Sequence, residues 1–213
     1  MSIICLAFSP THEFTKSRCH SLVLLENLGV QGDCHCGETV QHRSRLHIRP
    51  PPKNLRQVHL IDAEILEEAE VQPADLGENV TTKGLELLSK SAGTKLHFLP
   101  AITPATATAV ATDKRNGDFV TVAEILDGAV SELKENLASP HPIVVLTGLR
   151  NPCPQIQKFR PGLQEKFIIR DQDRNIVARR AGVMRVVEVG GEIHDDMSIV
   201  VEEPAVFQTL MCV

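Results

Sequence analysis

The sequence predicts a mainly β fold with a few helices, built as a barrel or a sandwich. Three observations lead there: short β-rich runs recur along the chain, Gly and Pro punctuate them, and helical periodicity is confined to a few stretches. No internal repeat is visible.

Ser2 to Phe8 is β-rich and stops at Ser9-Pro10, as an edge or opening strand does. From about Thr11 to Asn54 a mixed segment gives way to a strongly polar one, closed by Pro50-Pro51-Pro52. Its Gly29, Gly32 and Gly37, with many His and Arg, describe a loop that presents side chains. Arg56 to Ile61 alternates polar and apolar residues, a strand. It runs into DAEILEEAE, where Asp62 can cap a short helix whose Ile65, Leu66 and Ala69 share a face. Asp75 to Thr82 is a turn entering a short strand, and Gly93 to Leu99 is another strand.

Between Pro100 and Pro142 an Ala/Thr/Pro run precedes Val122, Ile125, Leu126, Val130, Leu133 and Leu137 at helical spacing, so a helical insertion is expected at about 100–142. Ile143 to Leu146 is a continuous apolar run, a buried strand leading into TGLRNPCP. Leu163 to Ile169 fits helix or strand equally. Gly182 to Val189 and Ser198 to Val201 are the last two strands, with a turn expected at Gly190-Gly191 and solvated turn acids at Asp195 and Asp196.

The chain's 213 residues suit one domain spanning 1–213. Its 42% hydrophobic and 23% charged residues are those of an ordinary globular protein. A net charge of -5, with no Trp or Tyr to stack on bases, argues against a nucleic-acid partner, so any anion site must be local. No apolar stretch approaches the roughly 20 residues of a membrane helix. The amino terminus reads as a strand, not a signal. Six cysteines without a secretory signal are reduced thiols or ligands, which places the protein in the cytoplasm.

Cys153 is the residue with most chemical promise. A thiolate is the metal ligand and nucleophile, and nearby cations or a helix amino terminus favour it. Arg150 precedes Cys153 by three residues, Pro154 suits the first position of a short helix, and Lys158 and Arg160 add positive charge. A free cysteine taken alone is more often a small buried hydrophobe. Here Pro152 and Pro154 hold the thiol on a stiff turn directly after a buried strand.

Five blocks then follow a common order: GDCHCG at Gly32 to Gly37, RQVHLID at Arg56 to Asp62, DLGENVTTKGLEL at Asp75 to Leu87, TGLRNPCPQI at Thr147 to Ile156 and RRAGVMRVVEVGG at Arg179 to Gly191. Together they resemble the MOSC family, named for the carboxy-terminal domain of molybdenum-cofactor sulfurases. The resemblance implies a MOSC-type β-barrel with a cleft for the molybdenum cofactor (molybdopterin), and Cys153 as metal or sulfur ligand. Arg56, Arg150, Lys158 and Arg160 become candidates for phosphate or pterin contacts, with Asn151 beside them. Asn79, Thr81 and Thr82 follow a Gly-containing turn whose donors either converge on an anion or pterin edge or satisfy the turn itself.

The reaction implied is reductive removal of a hydroxyl from a small N-hydroxylated substrate, with carriage of the cofactor or of a persulfide on Cys153 as the alternative. No flavin, haem or iron-sulfur motif accompanies these blocks, so an external electron donor, or a sulfur donor protein, is required. Asp33 and His35 form a second candidate pair, a carboxylate orienting a proton-donating imidazole or a histidine satisfied within a polar loop. The usual pattern of the first block is GD-x-H-x-G, and its first variable place, often basic in relatives, is Cys34 here. Cys34, His35 and Cys36, with Cys19 and His20 nearby, invite a zinc reading, but Cys34 and Cys36 are one residue apart and lack a matching second pair.

Overall fold

A computed structural model describes residues 1–42, 45–101, 130 and 133–213. Its centre is a closed seven-stranded β-barrel with few helices, as the sequence predicts. The strands are β1 (Ser2–Phe8), β2 (Ser17–Cys19), β3 (Ser21–Leu25), β4 (Gly29–Val30), β5 (Val58–Asp62), β6 (Val80–Lys83), β7 (Lys95–Leu99), β8 (Ile143–Leu149), β9 (Ile168–Arg170), β10 (Ile176–Arg179), β11 (Val183–Val189), β12 (Gly191–His194) and β13 (Ser198–Glu202). Around the barrel the order is β13-β7-β8-β11-β5-β6-β1, and β1 meets β13 through Ser2 and Ser198. Closure removes the open edges an eight-stranded sheet would expose. β5 and β6 are parallel, with helix α1 (Ala63–Ala69) in the connection between them.

Side-chain alternation explains the barrel. In β8 every second residue is buried, Val144 and Leu146 among them, and these meet Leu60, Phe98, Val183 and Ile199 inside. β5 is buried on both faces: Val58 and Leu60 point into the barrel core, while Ile61 joins a second cluster outside it. That cluster holds Leu66 and Ala69 of α1, Ile156 of α2 (Pro154–Phe159) and Leu163 of α3 (Leu163–Lys166), with Ile65 packed against it. The apolar face read for DAEILEEAE is therefore the face used.

Several local expectations are corrected. Asp62 occupies the amino-terminal cap position of α1 but makes no capping bond. Its carboxylate instead accepts from Thr82 Oγ1 at 2.9 Å and Leu87 N at 2.7 Å, holding β6 and the following turn to β5. The ambiguous 163–169 segment is both things in turn, α3 and then β9. Within the long loop the structure forms β2, β3 and β4, which are too short to carry periodicity. No turn at Gly190-Gly191 separates the last strands. β12 begins at Gly191 and pairs with β3, and the turn falls at the exposed Asp195-Asp196. Residues 133–138 of the expected insertion are helical, whereas Val122, Ile125 and Leu126 lie outside the described residues.

Candidate functional site

β8 ends at Leu149 and delivers Arg150, Asn151 and Cys153 to the mouth of a cleft of about 450 Å³. Cys153 is the residue before Pro154 at the start of α2, with extended backbone (φ -89, ψ 161), as the paired prolines require. Its half-buried Sγ lies 3.7 Å from Gln155 Oε1. The Arg150 guanidinium donates to Leu76 O at 2.7 Å and stands close enough to the Cys153 thiol to interact with it electrostatically. Burial pulls Arg150 below the usual guanidinium range, and Cys153 and Glu78 partly restore it.

The cleft lining is cationic. Arg150 is joined by Lys16, Arg45 and Arg56, against Glu13 as the acidic lining residue among those described. Burial, with Arg45 and Arg150 nearby, pushes Arg56 down to about 10. Its guanidinium meets the Val213 carbonyl oxygen while its buried Nε has no partner among the described residues. His42 also lines the cleft, pushed down to about 4 by burial and by Arg56. His59 is held well below its ordinary value, chiefly by burial, and donates from Nε2 to Ala181 O at 2.8 Å, so it is a neutral wall residue.

Asp33 stands behind this wall as a hub. Its Oδ2 accepts from Lys16 Nζ at 2.6 Å, Asn79 Nδ2 at 3.1 Å and Ser9 N at 3.2 Å, while Oδ1 accepts from His35 N at 3.0 Å and faces His35 Nδ1 at 3.2 Å. Burial alone would raise the carboxyl, but the bonds from His35 and Lys16 more than offset it and hold Asp33 far below the usual range. The His35 ring lines the cleft and stacks on His12 with centroids 5.4 Å apart.

The structure thus brings Cys153, Arg150, Asn151, Arg56, Asn79 and His35 to one cleft, with Asp33 directly behind. It does not bring the rest there. Thr81 Oγ1 donates to Glu78 and Thr82 Oγ1 to Asp62, both buried in their own turn and strand. Arg160 donates to the main-chain oxygens of Ala69 and Glu70, closing the end of α1, and Lys158 is an exposed residue of α2. Lys16, His42, Arg45 and His59 were not singled out from the sequence. His42 and Arg45 belong to the His- and Arg-rich loop read as presenting side chains, whereas Lys16 and His59 lie far from it in the chain and are gathered by the tertiary fold, not by a local pattern.

The cleft can accept an anion of small-cofactor size and place a thiol beside it. A phosphate-bearing pterin fits the donors present: Arg56 has an unsatisfied buried Nε, and the Cys153 sulfur is a soft ligand at the rim.

The fold is shared with solved structures. The YuaD protein from Bacillus subtilis superposes with a TM-score of 0.61 at 19% identity, covering 95% of this chain and 96% of that one. YiiM from Escherichia coli gives 0.51 at 15% identity over 98% of this chain and 73% of its own. YiiM from Geobacillus stearothermophilus gives 0.50 at 14% identity, over 95% and 73% respectively. No family model matches the sequence, and no curated protein does. At these identities the likeness is one of fold.

Proposed function

We propose that this chain is a stand-alone MOSC-type protein that binds the molybdenum cofactor in the cleft, with Cys153 as metal ligand, and reduces small N-hydroxylated substrates. The observation that carries the reading is that the Cys153 thiol and the Arg150 and Arg56 guanidinium groups line one cationic cleft. The five sequence blocks and the fold shared with YuaD and YiiM support it. When bound, the cofactor supplies the redox centre at which a hydroxyl leaves nitrogen as water. Two electrons from an external donor protein and two protons balance the reaction.

The chain's own residues bind and orient. Arg56 and Arg150 would hold the cofactor's phosphate and pterin edge, and Asn151, fixed by Arg179 Nε at 3.0 Å, would supply an amide at the mouth. Asn79 is committed to Asp33, Ala7 O and His59 N, so it stiffens the wall. His35, oriented by Asp33, offers a hydrogen bond to the substrate's oxygen.

The test is molybdenum and pterin content of protein made in cells that synthesise the cofactor, for wild type and Cys153→Ser. The reading expects both in wild type and loss of both in the variant. Folded wild type that takes up neither, even on reconstitution, removes it. The half-exposed Cys153 at the rim also suits a carrier that passes the cofactor or a persulfide to a partner. Turnover of an N-hydroxylated base with an artificial electron donor separates the two, since a carrier binds without turning over.

A further inference from the structure

Beside the cleft, three unlike donor atoms of consecutive residues face one another. We propose that Asp33 Oδ1, Cys34 Sγ and His35 Nδ1 hold a thiophilic divalent cation of the zinc class. His35 Nδ1 lies 3.2 Å from Asp33 Oδ1 and 3.2 Å from Cys34 Sγ, and Cys34 Sγ lies 3.8 Å from Asp33 Oδ1. Zinc bonds of ~2.0 Å to nitrogen and oxygen and ~2.3 Å to sulfur, at tetrahedral angles, set such atoms about 3.3 Å apart for nitrogen and oxygen and about 3.5 Å for sulfur to either. The triangle in the loop is one face of that tetrahedron.

Hydrogen bonding explains the triangle less well. The carboxylate only accepts, a neutral imidazole carries its proton on one ring nitrogen, and the thiol is a weak donor. An Nδ1–H of His35 satisfies the carboxylate edge alone, and the sulfur to carboxylate edge at 3.8 Å is a poor bond. A cation satisfies all three edges together.

The supports of Asp33 select the ligand oxygen and the kind of ion. Lys16, Asn79 and Ser9 N all engage Oδ2, while Oδ1 accepts from His35 N at 3.0 Å and is turned toward the Cys34 and His35 side chains. The Lys16 ammonium offsets the carboxylate's charge, so hard ions that depend on that charge, magnesium and calcium, have little to gain. A thiol and an imidazole favour zinc. Cys36, which a sequence reading of the loop would enlist, is not in the group, and buried Asp33 takes the place expected of a second cysteine. Three protein ligands leave a fourth position to water or to a cleft ligand, since His35 is also a lining residue.

This inference goes beyond the reading of Cys153 and does not depend on it. The experiment is cobalt titration of the chelator-treated full chain, followed by its thiolate-to-metal absorption band and competed with zinc. Wild type is expected to show a saturable band that zinc abolishes and that magnesium and calcium leave unchanged. Cys34→Ser and His35→Ala should each weaken binding by at least about tenfold while circular dichroism stays native, and Cys36→Ser and Cys153→Ser should bind like wild type. Folded wild type with no band, or a band that survives Cys34→Ser, overturns the proposal. A band lost in Cys153→Ser and kept in Cys34→Ser overturns it too, by placing the ion at the cleft thiol.

Discussion

Lys16 Nζ lies 2.6 Å from Asp33 Oδ2, with the two side chains 3% and 0% exposed. The pair ties the segment before β2 to the loop that carries Cys34 and His35. Burial lowers the Lys16 ammonium from its ordinary value, and Asp33 partly restores it, so each charge depends on the other. Lys16→Met is expected to cost about 3–5 kcal/mol, because it leaves a carboxylate buried without its counter-ion. Urea unfolding midpoints measure this; a midpoint equal to wild type would mean that the pair does not form.

Arg150 predicts the anion affinity of the cleft. Arg150→Met keeps the apolar stem but loses the charge and the bond to Leu76 O. Calorimetric titration with inorganic phosphate is expected to show affinity reduced about tenfold, the scale of one charge-assisted hydrogen bond. Lys158→Met, on the exposed face of α2, should leave that affinity unchanged.

Much of this site was legible because strand, turn and thiol lie together in TGLRNPCPQI. A continuous apolar run predicted β8, and the paired prolines predicted the perch of Cys153. The same linear logic left Thr81 and Thr82 open between a ligand and their own turn and offered Arg160 for the phosphate, since a donor beside a turn does not reveal which neighbour it will satisfy. Thr82 meets Asp62 across a parallel strand pair, and Arg160 meets carbonyls of α1 about ninety residues earlier. Lys16 and His59 were illegible for the converse reason, because only the tertiary fold brings them to the same cleft as Cys153.

Gly77 supplies a prediction that joins sequence to cleft. Its φ is +75, and an added Cβ would stand 2.5 Å from Phe14 O, in a wall that both residues share. Gly77→Ala must strain the backbone and push the 13–16 segment outward. Thermal unfolding is expected to show a loss of about 1–3 kcal/mol, accompanied by weaker phosphate binding. Wild-type values for both would show that the two segments do not touch.

Glu78 sets a dependence on pH. Its carboxyl is 1% exposed, accepts from Ala74 N and from Thr81 Oγ1, and leaves Oε2 without a partner among the described residues. Burial raises it above the ordinary carboxylate value, with those bonds only partly opposing. The folded state therefore holds its proton more tightly than the unfolded one, an advantage present at low pH and lost as pH rises through the raised value. Glu78→Gln does not ionise, so it is expected to match wild type below about pH 4 and to exceed it near pH 8. Denaturant midpoints at the two pH values decide; a constant difference would refute the raised carboxyl.

Arg185 carries the same logic to the barrel interior. It lies in β11 between Val183 and Val187, is 0% exposed, and its three guanidinium nitrogens have no hydrogen-bond partner among the described residues. Burial pushes it down to about 9, and the charge of Asp62 only partly opposes this. Between that value and the ordinary guanidinium range the unfolded chain binds more protons than the folded one, so this residue makes stability rise with pH above about 9. At neutral pH the guanidinium is a buried charge with weak compensation. Arg185→Met fills most of the space without the charge, and it is expected to stabilise the fold by about 1–4 kcal/mol at pH 7, as replacement of poorly compensated buried ions does. The gain should shrink at pH 10, where the wild-type side chain has begun to lose its proton. Urea midpoints at pH 7 and 10 test both parts, and a variant less stable than wild type at pH 7 would reveal a partner that Arg185 needs.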